Sequence, residues 1–409
     1  MIYLALVVGY PSILLTCAWV AIFPSNSGFI REQLTMKMPL LTLKNFLPAS
    51  FLCGIGLIYA ASIYAVDKNH EDEHSDRPIT IAVIGDWPYN KNLLDNAHLL
   101  TDSVNADAAV SHLIHVGDIH AGSMPCTSAD IFPPIPESNP GYNQKVYFQF
   151  QQFNKPVIYT PGDNEWADCH KSKQLKSGDP LKELASLRSL FFAKPGFTLG
   201  KEKQVKSQAQ YFDPAYPTDA KFVENVMWKQ GKVVFVTLNI PGSNNDTLPW
   251  TGGFDNPTAQ NQEVAERTGA DIRWLESAFD MAKETHARAV VISIQADMWD
   301  PEAVTAGELT DYTPIVQKLA DLVQDFGGPV LLLNGDSHVY GSDQPLANPN
   351  SATGVIHHTQ AVPNLTRITV QGSTTAPSEW LRLTIDPRKP QPFSWTNVAY
   401  CIDPLNSCQ

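Results

Sequence analysis

Five short runs of β-branched and aliphatic residues recur along residues 79–340, and each stops at a polar cluster: ITIAVIGDW, SHLIHVGDIH, PVIYTPGDNEW, AVVISIQAD and PVLLLNGDSHVY. An unbroken apolar run bounded by Gly predicts a buried strand, and Gly at its end lets the chain turn sharply. Between the runs, apolar residues return at helical spacing. Leu93, Leu94, Ala97, Leu100 and Val104 predict a helix over 91–106, and Leu184, Leu187, Leu190 and Phe191 one over 181–193. Ile272, Leu275, Ala278, Phe279 and Ala282 predict a third over 270–286, and a fourth covers 310–326, with Thr310 or Asp311 as its cap. The segment ENVMWKQGKVVFVTLNI reads as an antiparallel hairpin turning near Gln230–Gly231, and TRITVQG, EWLRLTI and FSWTNVAY add strands after residue 366. Strands alternating with helices, plus antiparallel additions, predict an α/β fold: a mixed β-sheet sandwich flanked by helices, in a single domain over 79–409.

The first 65 residues follow a different pattern. Met1 to Phe23 is apolar apart from Ser12 and Thr16, and Phe46 to Ala65 is a second apolar stretch, with Arg31, Lys37 and Lys44 between them. Each approaches the roughly 20 residues that span a bilayer. The second also fits a signal peptide starting at Met36 or Met38: a basic start, an apolar middle and small residues at Ala60, Ala61, Ser62 and Ala65. An acidic linker follows over 66–78. The expectation is an exported globular portion, periplasmic or secreted, that meets membrane only through the N-terminal apolar segments.

Cysteine usage agrees with export. Outside the apolar stretches stand Cys126, Cys169, Cys401 and Cys408, an even number suited to two bridges in an oxidising compartment. Three pairings are open. The favoured one joins Cys126 to Cys169, each a few residues past a strand-end motif, and Cys401 to Cys408 around a small loop. The absence of any C-x-x-C spacing argues against a zinc site. The formal net charge of -13, with no Lys/Arg block to offset it, argues against nucleic acid as a partner.

Chemistry gathers where the strands stop. Asp86, Asp118, Asp163–Asn164–Glu165, Gln295–Asp297 and Asp336–Ser337–His338 would converge in the crevice beyond the strand C-termini, where α/β sheets place their sites. A lone Asp after Gly is ordinarily a turn residue, but an ordered set at strand ends points to a metal site. Aromatic residues flank nearly every cluster: Trp87, Tyr89, Trp166, Trp299 and Tyr340. They either pack the rim of the core or contact an aryl or nucleobase group of a substrate. His357–His358 reads as a surface pair.

The ordered series GD, GD, GDNE, a strand ending in Gln295, then GDSH resembles the calcineurin-like metallophosphoesterase superfamily, and the later DQPL and TRITVQGS are similar to an exported bacterial group within it. The resemblance covers about residues 79–340. It implies an αββα sandwich in which two divalent metals clamp a phosphoryl group and activate water to attack it. By that resemblance the metal ligands are Asp86, Asp118 (shared by both metals), Asp163, Gln295, Asp336 and His338, with Asp297 an alternative to Gln295. Asn164 stands where the family has a His that helps the leaving group depart, and Glu165 matches the residue orienting it. Pro88 replaces a frequent His or Gly, and His120 is the remaining candidate acid. Because Gln295 and Asp336 replace imidazoles with oxygen donors, Mn²⁺ or another hard cation is favoured over Zn²⁺ or Fe. Asn164 has no proton to give near neutral pH, which favours aryl phosphates or phosphoanhydrides among small phosphorylated substrates. The implied function is a metal-dependent phosphoric ester hydrolase; the alternative is a degenerate member that binds a ligand or partner without turnover.

Overall fold

Strand runs with no polar face need cover on both sides. In the computed structural model, which describes residues 76–126 and 141–408, that cover is a second sheet on one side and helices on the other. Six strands form one sheet in the order β13-β12-β1-β2-β3-β4. These are β1 (Ile79–Ile84), β2 (Val110–His115), β3 (Pro156–Tyr159), β4 (Leu199–Gly200), β12 (Ser378–Ile385) and β13 (Phe393–Cys401). The other sheet has seven, in the order β10-β11-β9-β8-β7-β6-β5. Its members are β5 (Lys206–Ser207), β6 (Val226–Gln230), β7 (Val233–Thr237), β8 (Ala289–Ser293), β9 (Val330–Asn334), β10 (Gly341–Asp343) and β11 (Leu365–Thr369). Both sheets are mixed, with parallel β1-β2-β3 and β11-β9-β8-β7 at their centres. The architecture is the α/β sandwich that the sequence predicts.

Strand alternation sorts the side chains. Ile81 and Val83 of β1, Val291 of β8 and Leu331 and Leu333 of β9 meet between the sheets. Their neighbours Ala82 and Ile84 face outward under helices Ala97–Ala106, Tyr142–Phe150 and Pro180–Phe191. Val290, Ile292 and Leu332 face outward under helices Pro257–Glu284 and Thr313–Phe326. Both faces of each central strand are therefore dry, which is why these runs carry no polar alternation.

Three helix boundaries differ from expectation. The first predicted helix is divided at Asn96, whose N–H turns back to Asn92 and Leu94. The fourth opens with the tight turn Thr310–Tyr312 before its α-helical part. The third starts at Pro257, capped by Asn256, well before residue 270. Its first turns bury Gln260, Glu263 and Arg267 rather than apolar side chains, so hydrophobic spacing is blind to them.

Cys126 is bonded to Cys169, and Cys401 to Cys408. Two disulfides fit an exported protein. The expectation of membrane contact is corrected: among the described residues no helix is long and apolar enough to cross a membrane. Association through the N-terminal apolar segments is without support. The apolar stretches of 1–65 and most of the linker lie outside the described residues.

Candidate metal centre

The strand-end turns bring the acids together by an unusual backbone route. Asp86, Asp118, Asp336 and His338 all sit at positive φ, between 51° and 72°, a region that non-Gly residues rarely adopt. The glycines beside them are required by crowding. A Cβ on Gly162 would lie 2.0 Å from Asp118 Oδ1, and one on Gly335 would lie 2.6 Å from Asp86 Oδ2. Each "GD" thus lets an acid from one strand end press against the backbone of another. Backbone bonds lock the turns, with Asp86 N donating to Gly117 O (2.9 Å) and Gly335 N to Gln295 O (3.0 Å).

Among the described residues, two overlapping sets of groups could hold a metal ion: Asp86 with Asp118 and His338, and Asp118 with Asp163 and Asp336. In the first, the Tyr89 hydroxyl stands among the ligating atoms. It lies 3.0 Å from Asp86 Oδ1, 2.9 Å from Asp118 Oδ2 and 3.1 Å from His338 Nε2, while His338 Nε2 is 3.2 Å from Asp86 Oδ1. Spacings of about 3 Å are the edges of an octahedron whose metal–oxygen bonds measure about 2.1 Å. One hydroxyl proton also cannot serve two carboxylates at once. Asp86 Oδ2 is buried without a hydrogen-bond partner among the described residues, a costly vacancy unless a cation or further donor meets it. These atoms fit a cation.

Electrostatics says the same of the second set. Burial, followed by the charges of Asp163, Glu165, Asp86 and Asp336, holds the Asp118 carboxyl well above its usual range. Burial and the Asp163 charge do likewise for Asp336, and burial with Asp168 raises Asp163. Burial opposes charge on His338, but its hydrogen bond to Asp86 and the nearby carboxylates prevail and raise it. Tyr89 is held far above the usual phenol value by burial and by Asp118 and Asp86, so without a cation it stays neutral.

Gln295 joins this cluster in a different role from the expected ligand. Its Oε1 is taken by the Gly242 N–H at 2.5 Å, and its Nε2 faces Asp163 Oδ1 (3.1 Å) and Asp118 Oδ2 (3.3 Å). It offers N–H bonds to the acids rather than a lone pair to a metal. Asn164 does the same, its Nδ2 reaching Asp118 Oδ2 at 2.8 Å and Tyr89 Oη at 3.1 Å. Two amides thus supply the acids with hydrogen-bond donors.

Other expected participants are elsewhere. His120 is buried and pushed down to about 4 by desolvation, so it is a neutral imidazole near pH 7 and not the imidazolium a general acid needs. Trp87, Trp166 and Trp299 are each at most 1% exposed and belong to the core, not to a substrate surface. Tyr89 is also buried, inside the acid cluster. Tyr340 alone of these aromatics is exposed, and its hydroxyl receives Trp395 Nε1 at 2.8 Å. Asp297 is paired with Arg367 and accepts from Ser337 Oγ, which removes it as a ligand. Glu165 does not touch the Asn164 side chain; its Oε1 accepts from Tyr159 Oη and Gly162 N, both at 2.7 Å. Burial pushes Glu165 up to about 7, and it braces the GDNE turn. His357 is buried, with Nε2 2.7 Å from Met298 O, so only His358 of that pair is at the surface.

Sequence reasoning misses one supporting segment altogether. After β7 the chain runs through Ser243, Asn244, Asn245 and Asp246, four consecutive non-Gly residues at φ between 54° and 62°. This left-handed turn puts Ser243 Oγ 2.9 Å from Asp163 Oδ2 and 2.7 Å from Asp168 Oδ1. Lys171 Nζ is 2.7 Å from both Ser243 Oγ and Asp168 Oδ1, so the Ser243 proton is left for Asp163. The turn is anchored by Arg267, which is fully buried, pairs with Glu263 and donates to Asn245 O at 3.0 Å. Trp250 Nε1 to Asp246 Oδ1 (2.9 Å) and Asn244 Nδ2 to Asp311 Oδ2 (2.6 Å) add to the anchorage. The run PGSNND is itself a turn signal, with Asn and Asp tolerant of the left-handed region, but nothing in it points to the acid cluster.

Comparison with protein-family profiles gives no match, and no curated protein matches. Among solved structures the chain is similar to "GAP50 the anchor in the inner membrane complex of Plasmodium", with 10% identity over 80% of this chain and 90% of that one and a TM-score of 0.39. A likeness this distant carries no argument about function.

Proposed function

We propose that the protein is an exported metal-dependent phosphoesterase of the calcineurin-like metallophosphoesterase kind. The observation that carries the reading is the Tyr89 hydroxyl standing about 3 Å from Asp86 Oδ1, Asp118 Oδ2 and His338 Nε2, while the other Asp86 oxygen is buried without a hydrogen-bond partner among the described residues. A donor set of carboxylate and phenol oxygens with one imidazole suits Mn²⁺ or a comparable hard cation better than Zn²⁺. Asp118 belongs to both sets, so two ions would share it. A divalent cation in such a site supplies Lewis-acid polarisation of a phosphoryl oxygen and lowers the pKa of a water nucleophile.

The chain's own residues perform the remaining tasks. Ser243 and Lys171 fix the rotamer of Asp163 through Asp168, and Glu165 holds the turn that presents Asn164. Neither Asn164 nor neutral His120 gives a proton to a departing alkoxide. The favoured substrates are therefore esters whose leaving group departs as an anion, such as aryl phosphates and phosphoanhydrides.

A second reading, a ligand-binding protein without turnover, is favoured by the amide nitrogens of Asn164 and Gln295, which partly do a cation's work at Asp118 and Asp163. The purified protein assayed with p-nitrophenyl phosphate, its bis ester and nucleotides under added Mn²⁺, Mg²⁺ or Zn²⁺ separates the two. Turnover abolished by Asp118→Ala is expected. No turnover with any metal, together with less than one bound ion per chain, would decide for the second reading.

A further inference from the structure

We propose that the Lys173 ammonium is the cationic arm of this site, binding the non-ester oxygens of a phosphoryl group and favouring phosphate monoester dianions over diesters; the assignment deepens the phosphoesterase reading and rests on it. The starting point is the orientation of Asn164. Both of its amide hydrogens are committed inward, to Asp118 and Tyr89, which turns its Oδ1 outward. That oxygen is an acceptor and repels an incoming phosphoryl oxygen. A different donor has to meet the substrate there.

Lys173 is placed to do so. A Cβ on Gly122 would stand 2.5 Å from Asn164 Oδ1 and 2.9 Å from Lys173 Nζ, so the two atoms border the same small space, kept open because residue 122 has no side chain. Lys173 is paired with Asp168 Oδ2 at 3.2 Å, yet its side chain is 53% exposed. Asp168 has a second, closer partner in Lys171 at 2.7 Å, which is 24% exposed. Lys173 can therefore turn to an anion without leaving Asp168 uncompensated. Two nearby guanidinium groups are already engaged, Arg367 with Asp297 and Asp343 and Arg267 with Glu263. A single extra cation beside a cluster of carboxylate ligands discriminates by substrate charge: a monoester dianion gains more from it than a diester monoanion.

The test titrates inorganic phosphate into the Mn²⁺-loaded protein by calorimetry, comparing wild type, Lys173→Met and Lys173→Arg, with the chelated protein as a control. Lys173→Met should weaken phosphate binding about tenfold or more, and Lys173→Arg should restore most of it. In turnover assays, Lys173→Met should reduce kcat/KM for p-nitrophenyl phosphate more than for its bis ester, while the melting temperature stays near that of wild type because Lys171 still covers Asp168. Phosphate bound equally by Lys173→Met and wild type, or not bound by wild type at all, would overturn the assignment. Lysine-dependent phosphate binding without turnover keeps the anion site and sinks hydrolysis. Turnover that needs Asp118 but ignores Lys173→Met does the reverse.

Discussion

Replacing Asp336 by Asn tests whether the acids were assembled for a cation. In the set of Asp118, Asp163 and Asp336, the candidate ligand atoms lie within 4.8 Å of one another. At an effective dielectric constant of about 20, two full negative charges at 4.8 Å repel by about 3.5 kcal/mol. Partial protonation and the Gln295 N–H bonds reduce what removal of one charge returns to about 2 kcal/mol. The Asn side chain keeps an oxygen for the Asp297 N–H, which Asp336 Oδ2 receives at 3.1 Å. For a domain of this size 1 kcal/mol corresponds to about 1.5 °C, so the chelated Asp336→Asn protein should melt about 3 °C above chelated wild type at pH 7.5. The sign of the pH dependence follows from the raised carboxyls of Asp118, Asp163 and Asp336. A group that holds its proton more tightly when folded contributes stability that is full below its unfolded pKa and is lost as pH rises through its folded pKa. The advantage of the variant should therefore vanish near pH 4. Saturating Mn²⁺ at about 100 times its Kd should lift wild type by about 2.7 kcal/mol per site, and the variant by less. Scanning fluorimetry across pH, with chelator and with Mn²⁺, reads all of this. A chelated variant that melts below wild type at pH 7.5 while keeping the full Mn²⁺ increment would refute the reasoning.

Gly242→Ala should disable the second set without removing a ligand, since its methyl carbon would stand 2.8 Å from Asp163 Oδ2 and 2.9 Å from Asp336 Oδ1; metal analysis should show at least one ion fewer than wild type, and unchanged stoichiometry would count against a cation between those acids. The two disulfides should differ in worth. Cys126–Cys169 closes a separation of 43 residues and Cys401–Cys408 one of 7, so by loop entropy serine replacement should cost about 4 kcal/mol at the first and about 2.5 kcal/mol at the second. Equal losses in denaturant melts would argue that the first loop is already restrained when unfolded.

The sandwich and the meeting of Asp86, Asp118, Asp163, Asp336 and His338 were legible because both depend on strands that are apolar on two faces and stop at Gly. Such strands carry their own boundaries. Roles within the cluster were not legible. The strand-end position of Gln295 and Asn164 suggests a ligand and an acid, but which amide atom faces inward is decided by the Gly242 N–H and by Tyr89, groups remote in sequence. Tyr89 reads as a rim aromatic until Asp118 and His338 close around its hydroxyl. Trp87 and Trp166 adjoin strand-end acids in sequence, yet the sharp turn at each strand end sends neighbouring side chains opposite ways, into the core under the helices. The polar start of helix Pro257–Glu284 escaped for a related reason: its buried face pairs charges and amides, and hydropathy reads that face as surface.

That polar face has a reach beyond its own helix. Four successive left-handed residues, Ser243 to Asp246, cost about 1–2 kcal/mol each in backbone sterics, and the turn persists because Arg267, Asp311 and Trp250 grip it from behind. Ser243 steers Asp163 only while that grip holds. Part of the command over the acids is thus lodged in a guanidinium that touches none of them, and sequence drift at Arg267 or Glu263 would loosen Asp163 without altering any member of the cluster.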